Sequence, residues 1–255
     1  MRLENKIALV TGGGQGIGKE IAKTLALNGA FVLINYIDLG NNQEIAQMTK
    51  NEIESLGGKC EILPANVASY DETLEMFKTI KNEYGRLDIL INNAGVLDKG
   101  LNAIDQIDYD DLNRVIDINQ KGTMYCMSEA LKVMKSGASI VNISSVAGQY
   151  GAGGAVYVST KAAIIGVTKH AAMRFAKEKI RCNVICPGSI TTDMAAGLTP
   201  DTMDMKMMGA MSAHSDLTLQ PCSPLDVAKV ALFLASDDAA PLTGQVVVSD
   251  YGVDL

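Results

Sequence analysis

The chain has 255 residues, of which 47% are hydrophobic and 20% are charged, an ordinary composition for one globular domain. Its net charge of -7 and its pI near 4.9 argue against nucleic acid or an anionic membrane as partner, because both require a basic surface. Five cysteines without a C-x-x-C pair and two well-separated histidines predict neither a disulfide framework nor a metal site.

Apolar strand patterns alternate with helical patterns along the whole chain. The predicted strands are Lys6–Thr11, Phe31–Tyr36, Glu61–Pro64, Ile89–Ile91, Ser139–Ser144, Arg181–Cys186 and Gln245–Ser249. The predicted helices are Lys19–Asn28, Asn41–Leu56, Asp71–Tyr84, Asp110–Met134, Tyr157–Glu178 and Pro224–Ala235. This alternation predicts a single α/β domain over residues 1–255, with a doubly wound parallel sheet of about seven strands. Ligands of such sheets bind at the carboxyl ends of the strands.

A glycine-rich turn joins the first strand to the first helix. It runs from Gly12 to Gly18 in the order Gly-Gly-Gly-Gln-Gly-Ile-Gly. Glycine permits positive φ and close approach of a ligand, and the start of a helix offers unpaired N–H groups to a pyrophosphate. The turn therefore predicts a dinucleotide site; the alternative is a turn that only connects two elements.

A phenol and an ammonium lie four residues apart, at Tyr157 and Lys161, and share one face of a predicted helix. A nearby ammonium favours the phenolate, so we expect Lys161 to lower the pKa of Tyr157 from about 10 towards the range of general acid/base catalysis. The same spacing also occurs in exposed helical pairs without a role, so the interpretation depends on the motifs around it.

Six features follow one another in a recognisable chain order. They are the turn Gly12-x-x-x-Gly16-x-Gly18 preceded by Thr11, Asn92-Asn-Ala-Gly95, Asn119, Ser145, the pair Tyr157/Lys161, and Pro187-Gly188. Together they resemble the short-chain dehydrogenase/reductase family over essentially all of the chain. The resemblance implies a Rossmann-fold oxidoreductase that interconverts a secondary alcohol and a ketone with NAD or NADP.

The resemblance also implies the roles of the catalytic residues. Tyr157 would transfer the hydroxyl proton, and Lys161 would hold the cofactor ribose and tune Tyr157. Ser145 would hydrogen-bond the substrate carbonyl, although Ser144 stands at the family's usual spacing of thirteen residues before the tyrosine and Ser145 at twelve. Asn119 matches an asparagine that in relatives kinks a helix and anchors a proton-relay water.

The cofactor site is expected to draw residues from several strand ends. The expected residues are Gly12, Gln15, Gly16, Ile17, Gly18, Tyr36, Asp38, Asn66, Val67, Asn93, Ala94, Gly95, Tyr157, Lys161, Pro187, Gly188, Ile190 and Thr192. In the family, the residues matching Asn66 meet the adenine, and those matching Ile190 and Thr192 lie closest to the nicotinamide carboxamide.

The choice of cofactor depends on the end of the second strand, which carries no arginine for a 2′-phosphate. Gln15 stands in the glycine turn where phosphate-binding relatives often have a basic residue, so NAD(H) is favoured over NADP(H). The family's acidic residue aligns with Tyr36 rather than with Asp38, and Lys19 and Lys50 remain alternatives that could reach a phosphate.

The segment 189–219 is long enough for a substrate-binding lid. It holds a cluster of flexible side chains, Met194, Met203, Met205, Met207, Met208 and Met211. These favour a bulky apolar substrate such as a hydroxysteroid or a bile acid, unless they pack a helix face or an oligomer interface. A 3-oxoacyl-carrier-protein reductase, a dehydrogenase of small alcohols, diols or sugars, and a catalytically idle NAD-sensing scaffold are the alternatives.

The sequence also predicts the cellular location and the oligomeric state of the protein. No apolar signal segment precedes the first strand and no stretch approaches the length of a membrane span, so we expect a cytoplasmic protein without a membrane partner. The resemblance implies a homotetramer that assembles through the helices of residues 110–134 and 157–178.

Overall fold

The computed structural model describes residues 1–190, 203–216 and 218–254, and within these ranges no helix is both long and apolar enough to span a bilayer. The sheet has seven strands: β1 Ile7–Val10, β2 Phe31–Tyr36, β3 Lys59–Pro64, β4 Leu87–Asn92, β5 Met134–Ile143, β6 Arg181–Pro187 and β7 Val246–Ser249. Neighbouring strands are parallel throughout, in the order β3-β2-β1-β4-β5-β6-β7. The predicted doubly wound α/β fold is confirmed.

The helices of the described chain are α1 Gly16–Leu27, α2 Asn42–Ser55, α3 Tyr70–Tyr84, α4 Tyr109–Val115, α5 Gly122–Val133, α6 Ala147–Tyr150, α7 Ala155–Phe175, α8 Met205–Ser212 and α9 Pro224–Ala235. The predicted helix Asp110–Met134 is in fact α4 and α5 joined by a π-helical segment at Ile116–Lys121. Met134 already belongs to β5, where it pairs with Leu87.

Both faces of the sheet are covered, and the central strands are apolar for that reason. Ala8, Leu9 and Val10 of β1 are fully buried. Successive side chains of a strand point to opposite faces, so Leu9 packs with α3 and α5 while Val10 packs with α1 and α9. The sheet is thereby fixed between two hydrophobic layers.

The strand order reverses between β1 and β4, whose carboxyl ends lie side by side. The Thr11 amide, just past β1, donates to the carbonyl of Ile91 in β4 at 3.0 Å. Such a reversal leaves a crevice at the strand ends, the usual ligand site of an open α/β sheet. The glycine turn after β1 and the segment Asn92–Gly95 after β4 both border this crevice.

Candidate active site

The glycine turn adopts a conformation that needs glycine at particular positions. Gly12 and Gly16 have φ of +60° and +55°, in the left-handed region that side chains disfavour. At Gly18 a Cβ atom would collide with the Gly12 carbonyl oxygen, so this position admits no side chain without a shift of the backbone. Gln15 precedes α1 without capping it through its side chain. The first amides of α1 have no intrahelical acceptor and face the turn, which suits an anion.

Asn93 and Thr11 hold the glycine turn against the segment after β4. The Asn93 side chain donates to the carbonyls of Thr11 and Gly12 at 3.0 and 3.1 Å. In return, the Thr11 hydroxyl accepts from the backbone amides of Asn93 and Ala94, both at 3.0 Å. These four bonds connect residues about 80 positions apart and set the width of the crevice.

Tyr157 and Lys161 lie on α7, and the Lys161 Nζ stands 5.4 Å from the centre of the Tyr157 ring. Lys161 is 4% exposed, and its ammonium donates to the carbonyl of Ile143 at the end of β5, at 3.0 Å. At Gly148 a Cβ would meet the backbone of Lys161 at 2.5 Å, so glycine there lets the turn after β5 pack on α7. The sheet therefore fixes the position of the lysine.

The expected effect of Lys161 on the pKa of Tyr157 is wrong. Burial raises the pKa of the phenol to about 12, and an interaction with the Ser145 side chain only partly opposes this rise. Burial also lowers the pKa of Lys161 to about 8. Removal of water disfavours the charged form of each group, and Lys161 is not among the causes of the shift in the pKa of Tyr157.

The two serines at the end of β5 differ in their surroundings. Ser144 is buried, and its hydroxyl donates to the backbone carbonyl of Lys161 at 2.7 Å. Ser145 is partly exposed, and its hydroxyl oxygen accepts from the amide of Ala147 at 3.1 Å. An oxygen that accepts one bond keeps its proton for donation. Ser145, and not Ser144, therefore has a hydroxyl available next to Tyr157.

Asn119 lies in the π-helical segment between α4 and α5 and is fully buried. Its side chain makes a reciprocal pair with the backbone of Val96, accepting from the amide at 2.8 Å and donating to the carbonyl at 2.9 Å. It also donates to the Thr160 hydroxyl of α7 at 3.2 Å. A Cβ at Gly95 would stand 3.2 Å from Asn119 Oδ1 and 3.5 Å from Lys161 Nζ, so these three residues converge.

The residues around Lys161 and the glycine turn fit a dinucleotide. The ammonium of Lys161 has three N–H donors. Within the described ranges, the Ile143 carbonyl is the one acceptor found for them. The remaining donors are buried next to Gly95 and are suited to ribose hydroxyls. When bound, a nicotinamide cofactor would supply or accept the hydride here.

The predicted adenosine end of the site lies at the ends of β2 and β3. Tyr36 is 6% exposed, whereas Asp38 is exposed two residues farther on. Burial, with the charge of Asp38, raises the pKa of Tyr36. Asn66 accepts from the amide of Ala68 at 3.0 Å, and Val67 is buried against Gly122.

Lys19 and Lys50, the two alternative phosphate ligands, are engaged with carboxylates. Lys19 Nζ lies 2.6 Å from Glu52, and Lys50 Nζ lies 2.7 Å from Glu61. The hydrogen bond from the Lys50 ammonium lowers the pKa of Glu61, as expected for an ion pair. Both cations are therefore paired with carboxylates in this structure.

The segment after β6 borders the catalytic end of the site. The Pro187 carbonyl accepts from the amide of Val146 at 3.0 Å, and the Gly188 amide donates to Ser249 at 3.1 Å. Ile190 forms an isolated parallel bridge with Cys222. Thr192, expected at the nicotinamide, and Met194, expected in the lid, lie outside the described residues.

Part of the expected lid is the helix α8, which carries Met205, Met207, Met208 and Met211, and none of its residues is buried. A cavity of about 110 Å³ separates α8 from the turn that precedes α7, and Met207 and Met211 line it. Tyr150 and Asp254 complete its opposite side.

Sequence reasoning missed Asp98, which lies three residues after the Asn-Asn-Ala-Gly motif. Its carboxylate is buried, and it accepts from the backbone amide of Tyr157 at 3.4 Å. The two residues are 59 positions apart, and neither a motif nor a periodicity connects them. A charged residue directly after the apolar pair Val96 and Leu97, so close to the motif, was the available signal.

Comparison with known proteins identifies the family. A family model described as enoyl-(acyl carrier protein) reductase matches residues 12–254. The chain is 36% identical to a 3beta-hydroxysteroid dehydrogenase of Mediterraneibacter gnavus, over 98% of this chain and 95% of that protein. It is 38% identical to a 3-oxoacyl-(acyl-carrier-protein) reductase of Staphylococcus epidermidis, over 98% of this chain and 99% of that protein.

Solved structures give the same result. A short-chain dehydrogenase of Burkholderia cenocepacia in complex with NADP has a TM-score of 0.86 and 31% identity, with 99% of each chain covered. A blue fluorescent protein from a metagenomic library, in complex with NADPH, has a TM-score of 0.86 and 29% identity, with 99% of each chain covered. The chain belongs to the short-chain dehydrogenase/reductase family and is a nicotinamide-dependent oxidoreductase.

Proposed function

We propose that this protein is an NAD(H)-dependent dehydrogenase that interconverts a secondary alcohol and a ketone on a bulky apolar substrate, such as a hydroxysteroid or a bile acid. The observation that carries the reaction type is the placement of the Tyr157 phenol 5.4 Å from the Lys161 ammonium, at the strand ends that the glycine turn borders. Asn119 and Ser145 complete the proposed catalytic set.

Each member of the set has one task in the reduction direction. Tyr157, whose pKa is raised to about 12, is protonated at neutral pH and gives its proton to the carbonyl oxygen. The Ser145 hydroxyl donates to the same oxygen and stabilises the charge that develops there. Lys161 would hold the ribose hydroxyls of a bound cofactor, and Asn119 fixes α7 to the segment after β4 through Thr160 and Val96.

Several charges support NAD(H) as the preferred cofactor. A 2′-phosphate requires a cation, and Lys19 and Lys50 are paired with Glu52 and Glu61. Asp38 is exposed at the end of β2, and its negative charge would repel the 2′-phosphate of NADP(H). Two similar solved structures contain NADP and NADPH, so they do not supply this preference. The preference for NAD(H) is proposed for the present chain and needs its own test.

The cofactor preference can be tested by fluorescence titration with NADH and NADPH. We expect NADH to bind at least about tenfold more tightly, which corresponds to ~1.4 kcal/mol. Ile37→Arg should strengthen binding of NADPH, and Leu39→Arg, which adds the same charge at an exposed site two residues on, serves as the control. Equal or tighter binding of NADPH by the unaltered protein would contradict the proposed preference.

The methionines of α8 support an apolar substrate. Met207 and Met211 line the cavity beside the turn before α7, and thioether side chains adapt to irregular apolar surfaces. At about 110 Å³ this cavity is smaller than the ~300 Å³ of a typical ligand pocket, so it suits one end of a bulky molecule. We propose that residues 189–219 act as the lid over the substrate and that residues 1–255 form one domain.

The relative from Mediterraneibacter gnavus favours a hydroxysteroid, and the staphylococcal relative favours a 3-oxoacyl thioester as the second candidate. A panel of hydroxysteroids, bile acids, short diols and sugars with NAD and NADP, together with a 3-oxoacyl thioester with NADH and NADPH, separates the two by absorbance at 340 nm. Steady turnover of a hydroxysteroid with NAD supports the proposal. Turnover of the thioester alone would replace it, and no turnover with any member would favour the idle scaffold.

We also propose a cytoplasmic homotetramer, supported by exposed apolar side chains on the helices expected at its interfaces. Met124 of α5 and Met173 of α7 are 47% and 76% exposed. Light scattering tests this directly, since a monomer at micromolar concentration would contradict it.

A further inference from the structure

The start of α7 is bound by a carboxylate from another part of the chain. Gly154 precedes the helix as its cap residue and provides no side-chain acceptor for the first amides. Asp98, from the segment after β4, takes that place: its Oδ2 accepts from the amide of Tyr157 at 3.4 Å. A carboxylate at the positive end of a helix dipole is a favourable arrangement.

Gly154 leaves the space that this carboxylate occupies. A Cβ atom built at Gly154 would collide with both carboxylate oxygens of Asp98. The φ of Gly154 is -64°, which any residue adopts, so its backbone conformation does not require glycine. The close approach of Asp98 is the reason that a side chain is excluded there.

Capping alone does not account for a charged group at this position. Asp98 is 3% exposed, and its Oδ1 has no hydrogen-bond partner among the described residues. Burying a carboxylate with one unpaired oxygen is costly, whereas a serine or threonine at position 154 itself could cap α7 without charge. The buried charge therefore has a cost that capping alone does not require.

We propose that Asp98 is a positioning residue for Tyr157: its carboxylate fixes the first turn of α7 against the segment after β4 and places a negative charge at the backbone amide of Tyr157 itself. This inference rests on the proposed function of Tyr157. The charge favours the neutral phenol over the phenolate, so Asp98 keeps the tyrosine in the form that donates a proton.

Among the described residues, few other groups lie around the pair. Ser145, Cys186 and Lys161 face the phenol, the last at 5.4 Å from the ring centre. Asp111 of α4 faces Asp98, but it pairs with Arg114 at 2.7 Å and accepts from the amide of Lys99. Burial raises the pKa of Asp98, with the charge of Asp111 adding to the rise, and the amides of α7 lower it.

The charge is tested with Asp98→Asn, which keeps the shape and an acceptor oxygen but removes the negative charge. The titration of Tyr157 is followed by absorbance at 295 nm as the difference between each protein and the same protein carrying Tyr157→Phe. We expect its midpoint to fall by at least about half a pH unit, and kcat/KM for alcohol oxidation below that midpoint to rise about threefold. The dissociation constant of NADH should stay within twofold.

Asp108→Asn is the matched control, because Asp108 caps α4 through the amides of Asp110 and Asp111 without contacting α7. It should leave the Tyr157 titration unchanged. An Asp98→Asn titration that superimposes on that of the unaltered protein overturns the proposal. The absorbance readout requires no substrate, so this failure is distinguishable from a failure to find a turned-over alcohol.

The packing is tested separately with Gly154→Ala and Asp98→Ala. Gly154→Ala should destabilise the protein in urea and lower kcat, and should be tolerated when combined with Asp98→Ala, because the carboxylate that it meets is then absent. Additive effects of the two substitutions would show that the side chains are not in contact and would overturn the positioning role. This cycle also covers the case in which Asp98→Asn does not fold.

Discussion

Replacing Lys161 by methionine should stabilise the cofactor-free protein while it removes activity. Lys161 is 4% exposed, and burial lowers the pKa of its ammonium from 10.5 to about 8. At ~1.36 kcal/mol per pKa unit, the buried charge costs about 3 kcal/mol below pH 8. Methionine has a similar length and no charge, and losing the bond to the Ile143 carbonyl subtracts about 1 kcal/mol. A net stabilisation of about 2 kcal/mol follows.

The difference in unfolding free energy between Lys161→Met and the unaltered protein should decrease as the pH rises. The folded pKa of Lys161 lies below the unfolded value, so the unfolded chain binds more protons between about pH 8 and 10.5. The contribution of Lys161 to stability therefore improves as pH rises through this window. The advantage of Lys161→Met should be complete below pH 8 and should shrink by about 2 kcal/mol at pH 10.

Urea unfolding without cofactor, at equal protein concentrations and at pH 7 and pH 10, measures both quantities. Lys169→Met is the control, because Lys169 is exposed on the same helix, and its effect should stay within about 0.5 kcal/mol at both values. The reasoning is refuted if Lys161→Met is no more stable than the unaltered protein at pH 7. It is also refuted if the difference is the same at pH 10.

Three further outcomes follow from the site. Tyr157→Phe should abolish turnover and leave the dissociation constant of NADH nearly unchanged in fluorescence titration; substantial remaining activity would contradict its role. Ser145→Ala should lower kcat at least about 100-fold without loss of stability, whereas Ser144→Ala, which deletes the bond to the Lys161 carbonyl, should cost about 1 kcal/mol in urea unfolding; the reverse pattern would refute the assignment. Alcohol oxidation should rise steadily with pH from about pH 7 to 10, because the base is the phenolate and the pKa of Tyr157 is raised to about 12; a flat profile with a full deuterium isotope effect would be inconsistent with that base.

The strands were predictable because the inner strands of a parallel sheet are short apolar runs between turn residues. Phe31–Tyr36 and Pro224–Ala235 have the predicted bounds, the latter fixed by a capping box between Ser223 and Asp226. The prediction that a helix ends at Met134 is wrong, because no glycine or proline marks the transition from helix to strand after Val133. There the chain passes directly from α5 into β5, whose pairing with Leu87 is a tertiary contact.

The candidate site was predictable as far as its residues belong to motifs of the sequence. The glycine turn, Asn119, Ser145 and Tyr157 could all be named from motifs and spacing. The direction of the Tyr157 pKa shift could not, because it depends on how much water the fold excludes and on the carboxylate of Asp98. Burial and long-range contacts of this kind have no local pattern in a sequence.

The unfavourable burial of Lys161 also indicates what binds beside it. An ammonium with one acceptor and unused donors is destabilising in the free protein, and ribose hydroxyls would relieve part of that cost on binding. NADH at one fixed, saturating concentration should therefore raise the melting temperature of the unaltered protein more than that of Lys161→Met, because stabilisation by a ligand grows with its affinity. Equal increases would mean that binding changes nothing at the lysine, and would place the ribose away from α7.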